Sequence, residues 1–212
     1  MSSISDSNPH DICTWRPVSA CSDCSLSGDL KCRFRIGDLL HFLVTFLGFA
    51  IPAFAGMIVG GYGWFILGEV GFMVVFFSLW EIRILCAHCP YYAERGQTLH
   101  CIANYGSPKI WRYHPEPMST AEKVQLLVGF TILAGYPFPF LILGHQWLLA
   151  AIALWGCLVF FWTLQKDTCS RCVNFSCPLN RVPKTTVDAY LRRNPVMRRA
   201  WEEAGWILGN GQ

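Results

Sequence analysis

Charge is scarce in this chain, and the places where it is missing are informative. Charged residues make up 15% of the 212 residues, against the ~25% usual in a soluble domain, so the chain is too apolar for an ordinary water-soluble globule. No run alternates apolar and polar residues, which argues against a transmembrane barrel. A Ser-His-Asp set, a phosphate loop, a dinucleotide-type glycine pattern and a paired-carboxylate set are also absent. Any hard chemistry therefore belongs to a bound centre or a partner, and the chain reads as a redox or anchor subunit more than as a self-sufficient enzyme. No basic stripe interleaves with aromatic residues, so nucleic acid is a poor partner. The opening Met1 to Ile12 is polar and lacks the charged end and short apolar core of a signal peptide. The first apolar run is then expected to act as the targeting signal.

Long apolar runs are what the chain does have. Leu39 to Gly61, Trp64 to Leu85, Val124 to Leu143 and Trp147 to Leu164 are each near the roughly 20 residues that cross a hydrocarbon core. The last is the shortest. Only Gly61 to Gly63 and Gly144 to Gln146 separate the members of each pair. The predicted fold is an all-α integral membrane protein of four transmembrane helices in two tandem hairpins, with cysteine-rich metal-binding modules at the cytoplasmic face. The expected divisions are 1–38 (N-terminal segment), 39–85 (first hairpin), 86–121 (loop), 122–164 (second hairpin) and 165–212 (final module and tail).

Orientation follows from the 17 Lys and Arg residues, none of which lies in either hairpin turn. The positive-inside rule then places both termini and the middle loop in the cytoplasm of a cell with an inner membrane. The net charge of +3 is explained by that topology.

Ten of the eleven cysteines fall on this one side: Cys13, Cys21, Cys24, Cys32, Cys86, Cys89, Cys101, Cys169, Cys172 and Cys177. Cytoplasmic thiols stay reduced, so clustered ones read as metal-binding or catalytic and not as a disulfide framework. Cys157 lies within the fourth apolar run and reads as a small core residue. The sequences after the two hairpins, CAHCPYYAERGQTLHCIANYGSPK and CSRCVNFSCPLNRVPK, form a repeat. Cys86, Cys89, Cys101, Asn104, Pro108 and Lys109 match Cys169, Cys172, Cys177, Asn180, Pro183 and Lys184. This points to a duplicated hairpin-plus-module unit about a pseudo-twofold axis along the membrane normal. The N-terminal four stand apart as a self-contained set.

CxxC pairs serve zinc, iron-sulfur clusters and thiol-disulfide chemistry. Iron-sulfur is favoured, with zinc as the alternative and a thiol pair third. CSRCVNFSCP ends in Cys-Pro as many bacterial ferredoxin runs do, without their four-cysteine spacing. Ten ligands make two four-thiolate sites with two left over. His88 or His100 could complete the first module, whereas the second has no nearby histidine. Glu69, roughly 9 Å below the outer turn at ~1.5 Å per residue, is an ionisable group in the membrane and a candidate proton relay. Glu81 and Arg83 read as interfacial. His41 and His145 lie at opposite faces and cannot clamp one haem.

Gly56 and Gly60 are spaced for close helix approach. Pro137 and Pro139 should kink the third helix. Ser119 and Glu122 form a capping box. The aromatic middle loop is expected on the membrane surface, and the tail is expected as two short helices, the second opening at Asn194 and Pro195. These readings converge on electron transfer between a soluble cytoplasmic oxidoreductase, or other membrane subunits, and the lipid bilayer, with a quinone as a candidate acceptor. The alternative is a zinc-stabilised scaffold or assembly factor without redox activity.

Overall fold

In hydrocarbon an open chain can satisfy its own backbone only as a helix, and the apolar runs take that form. A computed structural model describes residues 8–101 and 103–209. Apart from one isolated bridge between Thr98 and Pro108, the regular structure among the described residues is helical. Four stretches are long and apolar enough to cross a membrane: Ile36–Val59, Gly63–His88, Thr120–Leu143 and Trp147–Arg171. Ile51, Trp155 and Trp162 point outward from them. In water such faces would form a large bare apolar surface, whereas lipid covers them. The chain is a multi-pass membrane protein by these features.

The first span is the single helix α1 (Ile36–Val59). The second comprises α2 (Ile66–Val75), a π turn at Phe76–Trp80 and α3 (Glu81–Ile84). The third begins at Ser119, whose hydroxyl accepts from the Glu122 amide while the Glu122 carboxylate accepts from the Ser119 amide, the expected capping box. It continues as α4 (Thr120–Gly135) and α5 (Pro137–Leu143). Tyr136 between them keeps helical angles, so the prolines interrupt the helix without ending the span. The fourth is α6 (Trp147–Thr163) followed by a π turn at Leu164–Thr168. At 25 residues it is not the shortest span, because helical winding carries Gln165, Lys166 and Asp167 past the apolar run.

The hairpin picture needs one correction. The first span packs most closely on the fourth, not on its sequence neighbour, and the second packs on the third. Glycines make this possible. A Cβ on Gly156 would overlap the Gly48 carbonyl, and one on Gly56 would overlap Leu141. Gly60 and Gly144 meet backbone to backbone, and Phe76 lies over Gly129. Gly56 and Gly60 therefore act as their spacing predicts. The first-fourth packing is far more extensive than the second-third packing, so the two halves are not packed alike.

Outside the spans, three segments far apart in sequence build one core that includes Ile12, Leu30, Tyr91, Leu99, Tyr190 and Trp201. Each buried large side chain contributes about 1.5–3 kcal/mol of transfer free energy. Polar contacts fix the register of the segments. The Trp15 indole donates to the Pro90 carbonyl (2.8 Å), the Tyr91 hydroxyl to the Lys31 carbonyl (2.7 Å), and the Lys31 amide to the Arg171 carbonyl (2.8 Å). The tail forms α7 (Lys184–Arg192) and α8 (Pro195–Glu203) as expected. It buries Tyr190, Met197 and Trp201 in one core with Ile12, Leu26 and Leu30 of the N-terminal segment. Tyr91 and Tyr92 of the middle loop are likewise buried, while Tyr105 and Trp111 stay exposed.

Candidate functional site

The duplicated modules share backbone geometry at their CxxC pairs. In each, the first cysteine opens a 3-10 turn, Cys86–His88 or Cys169–Arg171. The preceding residues, Leu85 (φ −115°, ψ −57°) and Thr168 (φ −108°, ψ −56°), adopt the same conformation. So do the second cysteines, Cys89 (φ −87°, ψ 138°) and Cys172 (φ −76°, ψ 132°). A π turn precedes both, although only the second abuts its cysteine. The other repeated residues diverge. Asn104 donates to the Cys86 sulfur (3.3 Å), whereas Asn180 donates to the Cys172 and Asn174 carbonyls.

The two modules meet. Burial, and then the charges of Cys172 and Cys101, push the Cys89 thiol well above its ordinary range. Cys101 and Cys177 are each pushed up to about 12, first by burial, with Cys172 and Glu81 adding to both. Cys172 thus sits within electrostatic reach of both modules. Backbone amides point at the sulfurs: Asn104 N–H lies 3.2 Å from Cys101 Sγ, and Asn174 N–H lies 3.4 Å from Cys172 Sγ.

Glu81 is a residue that the sequence reading misplaced. It is not interfacial but buried, with Oε2 3.3 Å from Cys86 Sγ and 2.5 Å from Asn104 Nδ2. Its one signal in the sequence is an acid five residues before the CxxC pair. Arg83 does reach the surface, near Glu122 (3.5 Å) and over Trp111. The two histidines considered as ligands are engaged elsewhere. His88 has Nδ1 2.7 Å from the Glu116 carbonyl and Nε2 3.5 Å from Glu122, and His100 has Nδ1 2.8 Å from Glu94.

Cys13, Cys21, Cys24 and Cys32 line a separate cleft of about 370 Å³. Cations crowd it: Arg16, Lys31, Arg33, Arg35, Arg171 and Arg193, with Asp38 and Asp167 at its wall. Three donors address the sulfurs, Asn194 Nδ2 to Cys13 (3.4 Å), Arg33 Nη2 to Cys21 (3.5 Å) and Arg193 Nη1 to Cys24 (3.2 Å). Burial pushes Cys32 up to about 12, and the charges of Cys13, Cys24 and Cys21 add to the effect. Thiols raised in this way are protonated at neutral pH and make poor nucleophiles. A bound cation would reverse the shift. Among the described residues no three His, Cys, Asp or Glu side chains are gathered tightly enough for a single ion; the N-terminal thiols border open space instead.

Between the helix pairs lies an apolar cavity of about 190 Å³, walled by aromatics such as Phe46, Phe77, Phe130 and Phe160. Cys169, Cys172, Cys177 and Glu81 border it, as do Glu69 and Cys157. Glu69 is 3% exposed and its Oε2 has no hydrogen-bond partner among the described residues.

Comparison of the chain with family models, curated proteins and solved structures finds no match.

Proposed function

We propose that this chain is a membrane-bound electron carrier. It passes electrons between a soluble redox partner at its cysteine-bearing end and the membrane, with a quinone as the membrane acceptor. The observation that carries the proposal is the presence of two thiol sets. One, Cys13, Cys21, Cys24 and Cys32, lines a cleft. The other is buried or half-buried and borders, through Cys169, Cys172 and Cys177, a cavity between the helices.

Thiolate side chains are the donors that iron-sulfur clusters require, and ten cysteines supply them here; the proposal rests on that donor chemistry and not on a preformed ligand shell. Such clusters supply reversible one-electron transfer and are held by thiolates, their potentials tuned by hydrogen bonds to sulfur. At the N-terminal cleft, Cys13, Cys21, Cys24 and Cys32 would be the four ligands. Arg33, Arg193 and Asn194 supply the donors, and the surrounding guanidinium groups offset the negative charge of a thiolate-bound cluster. At the second set, Cys86, Cys89, Cys101, Cys169, Cys172 and Cys177 exceed one four-thiolate site, and Cys172 is the residue able to serve either module. A structural zinc site would draw its sulfurs to about 2.3 Å from one point, and no three such side chains are gathered in that way among the described residues. The charge distribution supports a cytoplasmic location for this end, at the inner face of a cell membrane.

The test is metal, acid-labile sulfide and the visible spectrum of anaerobically purified protein. Iron, sulfide and a broad band bleached by dithionite are expected, and Cys24→Ser and Cys172→Ser should each remove a separate part of that band. Zinc alone in a colourless sample would overturn the reading in favour of the scaffold.

A further inference from the structure

We infer that the cavity between the two helix pairs is a quinone-binding site, with the Glu69 carboxyl gripping the quinone ring. The inference rests on the electron-carrier reading and deepens it. An occupant of this space must match three features. Its walls are aromatic and aliphatic side chains from all four spans, so the occupant is lipophilic. Glu69 Oε2 is buried in the cavity wall without a partner among the described residues, and an unpaired buried carboxyl oxygen is costly, so the occupant carries a hydrogen-bonding group. One end is bordered by Cys169, Cys172 and Cys177, so the occupant gains function if it exchanges electrons.

A lipid acyl chain meets only the first condition. A haem would have no histidine ligand here, and Cys169, Cys172 and Cys177 at the end of the space are already assigned to the proposed clusters. A quinone meets all three. Glu81 is already occupied by Cys86 and Asn104, which leaves Glu69 as the carboxyl free to bind the ring, its protonated O–H donating to a ring carbonyl. The two acids are twelve residues apart, about 18 Å along a helix, so a ring held at Glu69 lies within that reach of the thiol end. Reduction of the bound quinone to quinol consumes two electrons and two protons. Iron-sulfur centres held by the cysteines would supply those electrons one at a time, the soluble partner being the reductant. The protons come from water, one of them through Glu69.

The full chain in lipid nanodiscs is titrated with a decyl-tailed benzoquinone, and partition into empty nanodiscs is subtracted. Iron and sulfide are assayed on the same samples. Saturable binding near one per chain is expected. Ala134→Phe, which fills the cavity, should abolish it. Glu69→Leu should weaken it about tenfold, the worth of one good hydrogen bond at ~1.4 kcal/mol, and covers the case in which Ala134→Phe does not fold. Gly71→Ala, a site with nothing within 4 Å of the new Cβ, should bind as the parent does. Binding no greater than to empty nanodiscs, or unchanged in both cavity variants, would overturn the inference and leave the cavity to lipid chains. Iron without saturable binding sinks this inference and spares the electron-carrier reading, whereas binding without iron does the reverse.

Discussion

Asn194 ties the C-terminal tail to the first cysteine across 181 residues of sequence, and its removal should release that tie. The side chain is fully buried. Its Oδ1 accepts from the Cys13 amide at 2.6 Å, and its Nδ2 donates to the Tyr190 carbonyl at 2.6 Å and to Cys13 Sγ at 3.4 Å. Although Asn194 precedes α8, its side chain makes no capping bond, so the cost of Asn194→Ala comes from these tertiary contacts. The Tyr190 carbonyl keeps a second donor in the Arg193 amide and loses only about 1 kcal/mol. The Cys13 amide loses its acceptor inside the core, which costs about 1–3 kcal/mol. With the void left behind, the total is about 3 kcal/mol, enough to raise local opening by roughly two powers of ten. Hydrogen exchange of the α7 amides and of the segment around Cys13 should therefore speed up together by that factor, while the spans stay protected. A change below about threefold in either segment, or acceleration in the tail alone, would refute the coupling.

Other consequences can be measured directly. Gly156→Ala should cost about 1–3 kcal/mol by overpacking, because the new Cβ meets backbone at Gly48; heat stability in detergent reads this, with Gly71→Ala as the near-neutral comparison. His88→Gln and His100→Gln should leave bound metal unchanged, since both rings are engaged by glutamate or backbone groups; metal analysis against Cys101→Ser checks this. For Asp188, burial alone would raise the carboxyl, but Lys184, the Gly209 amide and the Trp206 indole together hold it below its ordinary value. A depressed carboxyl stabilises the fold above its unfolded pKa and loses that contribution as pH falls through the folded one. Tail docking, followed by Trp206 fluorescence, should therefore weaken below about pH 4, and Asp188→Asn should flatten that dependence.

Features that rest on local composition or spacing were legible in the chain itself. The four spans follow from runs of apolar residues, and the capping box from Ser119 and Glu122. The duplicated module was visible as a matched string of residues, and its shared CxxC backbone angles follow from similar local sequence. Glycine spacing at Gly56 and Gly60 indicated close approach, without saying that Leu141 and Gly144 would supply the opposing surface. Glu81 was misread because an acid near a helix end looks interfacial until Asn104, from the loop beyond, is seen to close over it.

By itself, then, the sequence determined which segments are apolar enough to span a membrane, that ten cysteines share one end of them, and that six belong to a repeat. Periodicity, charge placement and motif spacing are properties of neighbours along the chain. Only the tertiary structure decided that the first span pairs with the fourth, that the tail borders the N-terminal cysteine cleft through Tyr190 and Arg193, and that Cys172 lies within electrostatic reach of both modules. It alone opened a cavity in which Glu69 Oε2 is left without a partner among the described residues. Each of these depends on contacts between residues tens to nearly two hundred positions apart, chosen by which surfaces fit and which buried polar groups can be satisfied.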